Sequence, residues 1–395
     1  MSDEIRTPDN PLDPAEVERQ AAEEIAARQA AERRYVLEQQ RIDRLIQIAT
    51  PFISVAIAIL IGSVVILAAG KSPIEAFSAM FYGAFGGTRQ IGETLLRATP
   101  LVFTGLAVAY GFRSGLFNIG AEGQLFLGGL AAAFVGVQLA GFPWIVSVPA
   151  VILSAAVAGA AWAFIPALMK AKIGAHEVIT TMMFSYIGRY LVSWIVTGPF
   201  KDEGAIPQTP LLPETSQLPR ISDVLTFIQP NRAHFGIILG VGVAILVWWI
   251  LKYTVLGYEA RAVGFNPFAS ETGGISVSAT TIKSLCISGA LAGLSGAVEI
   301  MGLHHRLFDQ FSSGFGFTGI AVALLAKNNP IGVLAAALLF GALSAGSGTM
   351  QLQADVSQKV IAIIQGTIIF LVGAETIVTW FVAKARKAKG GADVQ

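Results

Sequence analysis

Residues 123–169 run for 47 positions without one charged side chain. The hydrocarbon core of a bilayer is about 30 Å thick, and a helix needs roughly 20 apolar residues to cross it. The run is therefore long enough for two crossings, and Gly141-Phe142-Pro143 marks the turn between them. Backbone that leaves water must satisfy its own hydrogen bonds, which a helix does within a single segment. Only 13% of the chain is charged and 54% is hydrophobic, against about 25% charged in soluble domains. The chain reads as an all-α, polytopic transmembrane helical bundle.

Other apolar segments extend the count to about ten spans. They are Pro51–Ala69, about Leu95–Phe112 with Pro100 bending or starting it, Val178–Phe200, His234–Leu251, about Thr280–Met301, Pro330–Gly346 and Val360–Val382. The segment Gly314–Ala326 has 13 residues, short for a straight crossing, so it either crosses or re-enters. Lys and Arg flank the cytoplasmic side of membrane helices. Arg33, Arg34, Arg41, Arg44, Lys170, Lys172, Lys252, Arg261, Lys384, Arg386, Lys387 and Lys389 all fall on one side if both termini are cytoplasmic.

Three regions follow. Residues 1–49 form a charged cytoplasmic region whose Ala15–Arg44 stretch is rich in helix formers with little to bury, and they lack the apolar core of a signal peptide. Residues 50–382 are the transmembrane domain, and 383–395 a basic cytoplasmic tail. A net charge of +1 offers nothing to nucleic acid, and Cys286 reads as a small buried hydrophobe.

Motifs for catalysis fail on inspection. Gly70-Lys71-Ser72 resembles the end of a phosphate loop, but the required first glycine is Val65. His176-Glu177 begins like a zinc helix, but Thr180 stands where its second histidine belongs, and the adjacent His304 and His305 share no helix face. The chain is read as no enzyme, binding no cofactor or metal of its own.

Two glycine-rich interruptions carry more information. One is Arg113–Gln124 and the other Ser312–Gly319. Non-helical backbone at membrane depth survives only where protein buries it or a polar cavity hydrates it, and paired interruptions point to a transport pathway. Phe117, Asn118, Glu122 and Gln124 from the first, with Phe317 and Thr318 from the second, are the predicted pathway residues: hydrogen bonds from the polar set, stacking from the rings. Tight helix packing through small residues is the competing explanation. Arg97, Arg189, Lys283, Glu299 and Glu375 also lie inside spans, where charge is costly.

The loop 252–276 is predicted to hold a short helix ending at Gly264, then a turn or new cap at Asn266-Pro267. Tyr258, Phe265 and Phe268 exceed what a solvated loop needs and suggest a docking surface.

Four motifs together resemble the permease subunits of ATP-binding-cassette importers for branched-chain amino acids, simple sugars and nucleosides: GLFNIGAEGQ (115–124), GYEARAVGFNP (257–267), SGALAGLSGAVEIMG (288–302) and GFGFTGIAVALLAKNNPIG (314–332). With HEVITTMMFSYI (176–187), the chain looks most like the nucleoside branch. The resemblance implies that the loop is a coupling helix seated on an ATPase, with Glu259, Ala260, Arg261, Gly264 and Asn266 as its contacts. Arg261 replaces an alanine of the usual signature, and the glycine comes one residue early. It also implies a second permease subunit, an ATPase that uses the ATP, an extracytoplasmic substrate-binding lipoprotein, and residence in the plasma membrane. Permeases for sugars or branched-chain amino acids are the alternatives within the family. From another class, an ion-coupled transporter would use Glu177, Glu299 or Glu375, but these carboxylates cluster toward span ends.

Overall fold

The structure, a computed structural model, describes residues 50–224 and 230–373 and six isolated positions between 28 and 41. The chain divides into two compact units, Met1–Ile53 and Ser54–Gln395. In the first, positions 28, 29, 33, 34, 37 and 41 are helical and exposed. The rest of the predicted Ala15–Arg44 helix, Glu375 and the tail 383–395 lie outside the described residues.

The helices are α1 (Thr50–Ala68), α2 (Pro73–Phe85), α3 (Thr88–Arg113), α4 (Ala121–Gln138), α5 (Trp144–Ile173), α6 (Glu177–Thr197), α7 (Ile221–Val224), α8 (Gly236–Tyr253), α9 (Val255–Phe265), α10 (Pro267–Thr272), α11 (Val277–Glu299), α12 (Phe315–Leu325), α13 (Pro330–Ala354) and α14 (Lys359–Gly373). A π-turn, Ile300–His304, extends α11. Among the described residues, six helices are long and apolar enough to cross a membrane: α1, α3, α5, α8, α13 and α11 with its π-turn. The other expected spans take different forms. α4 opens with Glu122 and Gln124, α6 carries Glu177 and Arg189, and α12 has 11 residues.

The predicted turn is present: α4 stops at Gln138, Gly141 adopts φ 91°, and Pro143 caps α5. Helix α3 starts at Thr88, earlier than the predicted Leu95, with Pro100 inside it. Its first turns hold Glu93, which pairs with both Arg97 (3.1 Å) and Arg232 (2.7 Å). The misleading Gly70-Lys71-Ser72 is a connection: Ser72 caps α2 and Lys71 pairs with Asp355.

Helix α11 forms the centre, with every residue from Leu291 to Met301 buried. Its Gly289 and Gly293 lie against Gly159 of α5, and its Gly296 lies against Gly129 of α4. A Cβ at these positions would strike the neighbouring backbone, so the small residues set how closely the three helices pack. Helix α3 is likewise buried from Ala98 to Gly111. The periphery is apolar instead: Leu60, Leu67, Trp144, Leu153, Ile245 and Trp249 are all exposed. Apolar side chains facing outward along whole helices suit lipid and would be a liability in water.

Candidate functional site

The two glycine-rich interruptions meet. Helix α4 begins at Ala121, inside the first, and α12 begins at Phe315, inside the second, after Gly314, whose φ is 90°. The Glu122 carboxylate Oε2 accepts a 2.6 Å hydrogen bond from the Gly316 N–H. The first N–H groups of a helix have no partner within it, and the helix dipole favours negative charge there. Glu122 supplies an acceptor there from a different helix. A Cβ on Gly316 would overlap the Glu122 backbone, so glycine permits the approach. The Ser312 hydroxyl completes the cap by accepting from Gly314 N (3.2 Å) and Phe315 N (3.3 Å).

Behind this junction Asn118 is fully buried. Its Nδ2 donates to Gln124 Oε1 and to Ser288 Oγ, both at 2.8 Å. Its Oδ1 accepts from Gly120 N (2.9 Å) and Gln124 Nε2 (3.1 Å). Ser288 in turn donates to the Ala107 carbonyl at 2.6 Å. The network ties the first interruption to α11 and α3, and it uses the polar capacity that the sequence suggested for a solute.

A cavity of about 270 Å³ opens beside Glu122, lined by Phe126, Ser185, Tyr186, Arg189, Ser312, Ser313, Gly314 and Phe317. Of the six predicted pathway residues, Glu122 and Phe317 lie on it. Asn118 and Gln124 lie in the buried network, Phe117 stacks on Phe112 with ring centroids 4.9 Å apart, and the Thr318 hydroxyl donates to the Gly314 carbonyl. Arg189, on the cavity, hydrogen-bonds Gln310. Its role there was not predicted. The available signal was spacing: Ser185, Tyr186 and Arg189 fall on one helical face.

The loop 252–276 folds as two short helices with the predicted punctuation. Asn266 caps α10 by accepting from Ala269 N (3.1 Å), and Pro267 takes its first position. Gly264 lies against the turn after α3, where a Cβ would collide with the Arg113 carbonyl and the Gly115 backbone. Ala260 is buried, the Arg261 Nε donates to the Gly257 carbonyl, and Glu259 lies 3.8 Å from Lys283 of α11. Tyr258, Phe265 and Phe268 are exposed, the last two by more than four-fifths. The surface that packs on the bundle is thus small-residue, and the outward surface is aromatic.

Known proteins resemble the chain along nearly its whole length. It is 37% identical over 349 residues to the guanosine ABC transporter permease protein NupP of Bacillus subtilis (strain 168), covering 88% of this chain and 99% of that one. It is 33% identical to the nucleoside ABC transporter permease protein NupB of Lactococcus lactis subsp. cremoris (strain MG1363), covering 87% and 95%. It is also 33% identical to the glucose ABC transporter permease protein TsgB13 of Haloferax volcanii, covering 82% and 87%. No solved structure matches significantly. A family profile described as the branched-chain amino acid transport system permease component matches residues 90–373, and the chain belongs to that family.

Proposed function

We propose that this chain is one permease subunit of an ATP-binding-cassette importer and conducts nucleosides through the path beside Glu122 and Phe317. The observation that carries the solute class is the end-to-end likeness to permeases named for guanosine and nucleosides. A sugar permease is the second reading, favoured by the glucose-named relative. ATP hydrolysis belongs to a partner ATPase, seated against the exposed aromatics of α9 and α10. A second permease completes the path, and a lipoprotein delivers solute outside the plasma membrane.

In this reading the chain crosses ten times with both termini cytoplasmic. What supports a full crossing for the α12 segment is the position of its two ends. Leu307 accepts from the Thr209 N–H (2.9 Å) in the long 198–235 connection, whereas the Asn328 carbonyl accepts from Arg113 (2.9 Å) beside the coupling loop. A non-helical first half and a helical second half then span the bilayer. Single cysteines at Arg306 and Asn328, in a Cys286→Ser background, should label from opposite sides; labelling from one side would make the segment re-entrant.

Purification of the tagged chain from its native membrane, with its partners, tests the function. Vesicles holding that complex should accumulate guanosine only with internal ATP and external binding protein. Accumulation driven by a proton gradient alone would replace the proposal with ion coupling, and accumulation of glucose but no nucleoside would favour the sugar reading.

A further inference from the structure

We infer that Arg189 reads the nucleobase: its guanidinium offers parallel N–H donors to a 6-oxopurine nucleoside held against Phe317 and Tyr186. The inference rests on the nucleoside reading and adds which bases the path prefers.

An arginine inside a membrane span costs about 3 kcal/mol or more, and such residues face protein or a water-filled cavity. Arg189 lies near the midpoint of α6 and lines the cavity beside Glu122. Its hydrogen bond to Gln310 goes to a neutral side chain and uses only one of five N–H donors. Of the other polar groups of the cavity, three are engaged in holding the fold, and the hydroxyls of Tyr186 and Ser313 offer one donor each. Glu122 accepts from Gly316, Ser312 accepts from Gly314 and Phe315, and the Ser185 hydroxyl is taken up by the backbone of Ile119 and Thr181. Arg189 therefore has the largest hydrogen-bonding capacity left for a solute.

The apolar walls suit the same ligand. Phe317 and Tyr186 line the cavity, and a base stacked on an aromatic ring gains about 1–3 kcal/mol whatever its identity. Discrimination must come from edges. Guanine and hypoxanthine place O6 and N7 side by side as acceptors, which fits the fork of a guanidinium. Adenine replaces one acceptor with an N6 amino donor, which would face the cation. Uracil and thymine carry an N3–H between their two carbonyls and so lack adjacent acceptors. A cavity of about 270 Å³ is at the small end for a complete ligand site, consistent with one half of a path shared by two permeases.

The test uses the complete complex in vesicles, with binding protein separately saturated by radiolabelled guanosine, inosine or adenosine, so that selection outside the membrane drops out. Arg189→Gln and Arg189→Lys should each lower turnover of guanosine and inosine about tenfold while leaving adenosine within about twofold. The lysine variant keeps the charge and loses the fork, so both variants should behave alike. Equal loss for all three nucleosides, or unchanged ratios in assembled complexes, overturns the inference. A wild-type complex that moves no nucleoside overturns the nucleoside reading and this inference with it.

Discussion

The Glu122 Oε2 lies 2.6 Å from the Gly316 nitrogen, and this bond joins the starts of two helices whose residues are 194 positions apart in the chain. Each interruption leaves a helix N-terminus away from bulk water. Left alone, those N–H groups would be buried donors without partners, at about 1–3 kcal/mol each. The carboxylate satisfies one of them and complements the dipole of α12.

Glu122→Leu should therefore lower the melting temperature of the detergent-solubilised complex and reduce uptake together. The expected loss is about 1–3 kcal/mol, the cost of an orphaned buried donor. Glu122→Gln keeps an acceptor and should fall between. A leucine variant that melts with the wild type would show that this bond does not hold α12.

Asn118→Leu separates a structural lock from a solute contact. The substitution strands Gln124, Ser288 and the Gly120 N–H. The solute-free protein should then lose at least about 2 kcal/mol, and Ser288→Ala should lose less. Thermal unfolding without nucleoside reads this directly. Normal stability with abolished uptake would return Asn118 to the pathway.

At the proposed coupling end, Gly264→Val would force a side chain into the Arg113 carbonyl. Overpacking of this kind costs about 1–3 kcal/mol, which a membrane-inserted bundle tolerates, but it would push α9 off the turn after α3. We expect normal insertion, uptake reduced more than about tenfold, and ATP hydrolysis that loaded binding protein no longer accelerates. Phe265→Ala, on the outward surface, should weaken retention of the ATPase during purification without moving the melting temperature.

The Lys71–Asp355 pair at 2.6 Å gives a pH dependence of known sign. The hydrogen bond from Lys71, with its charge, holds the fully exposed Asp355 carboxyl below the usual carboxylate range. A lowered folded-state value adds stability above the unfolded value, lost as pH falls through the folded one. Asp355→Asn should thus melt slightly below the wild type at neutral pH and together with it in strong acid. Salt should shrink the neutral-pH gap. A gap that widens in acid would contradict the assignment.

Local signals were legible where local chemistry decides. Asn266-Pro267 starts α10 because an Asx side chain caps and proline suits a first helical position. Gly141-Phe142-Pro143 turns the chain for equally local reasons. The start of α3 was read too late because Arg89 and Glu93 interrupt its apolar pattern. Only the fold shows Glu93 answered by Arg97 and by Arg232 from the long connection. The sequence singles out Asn118 but does not reveal that Ser288 waits on α11.

The sequence by itself determined that the chain spans a membrane, that it does so with helices, and that glycine-rich stretches fall at Arg113–Gln124 and Ser312–Gly319. Hydropathy, charge and capping act within a turn or two of helix, so these are readable one segment at a time. Tertiary structure alone decided that the interruptions meet at Glu122 and Gly316, and that Arg189 bonds Gln310, 121 positions away. Those pairings depend on how closely the glycines of α11 let α4 and α5 approach, and no local pattern encodes that distance.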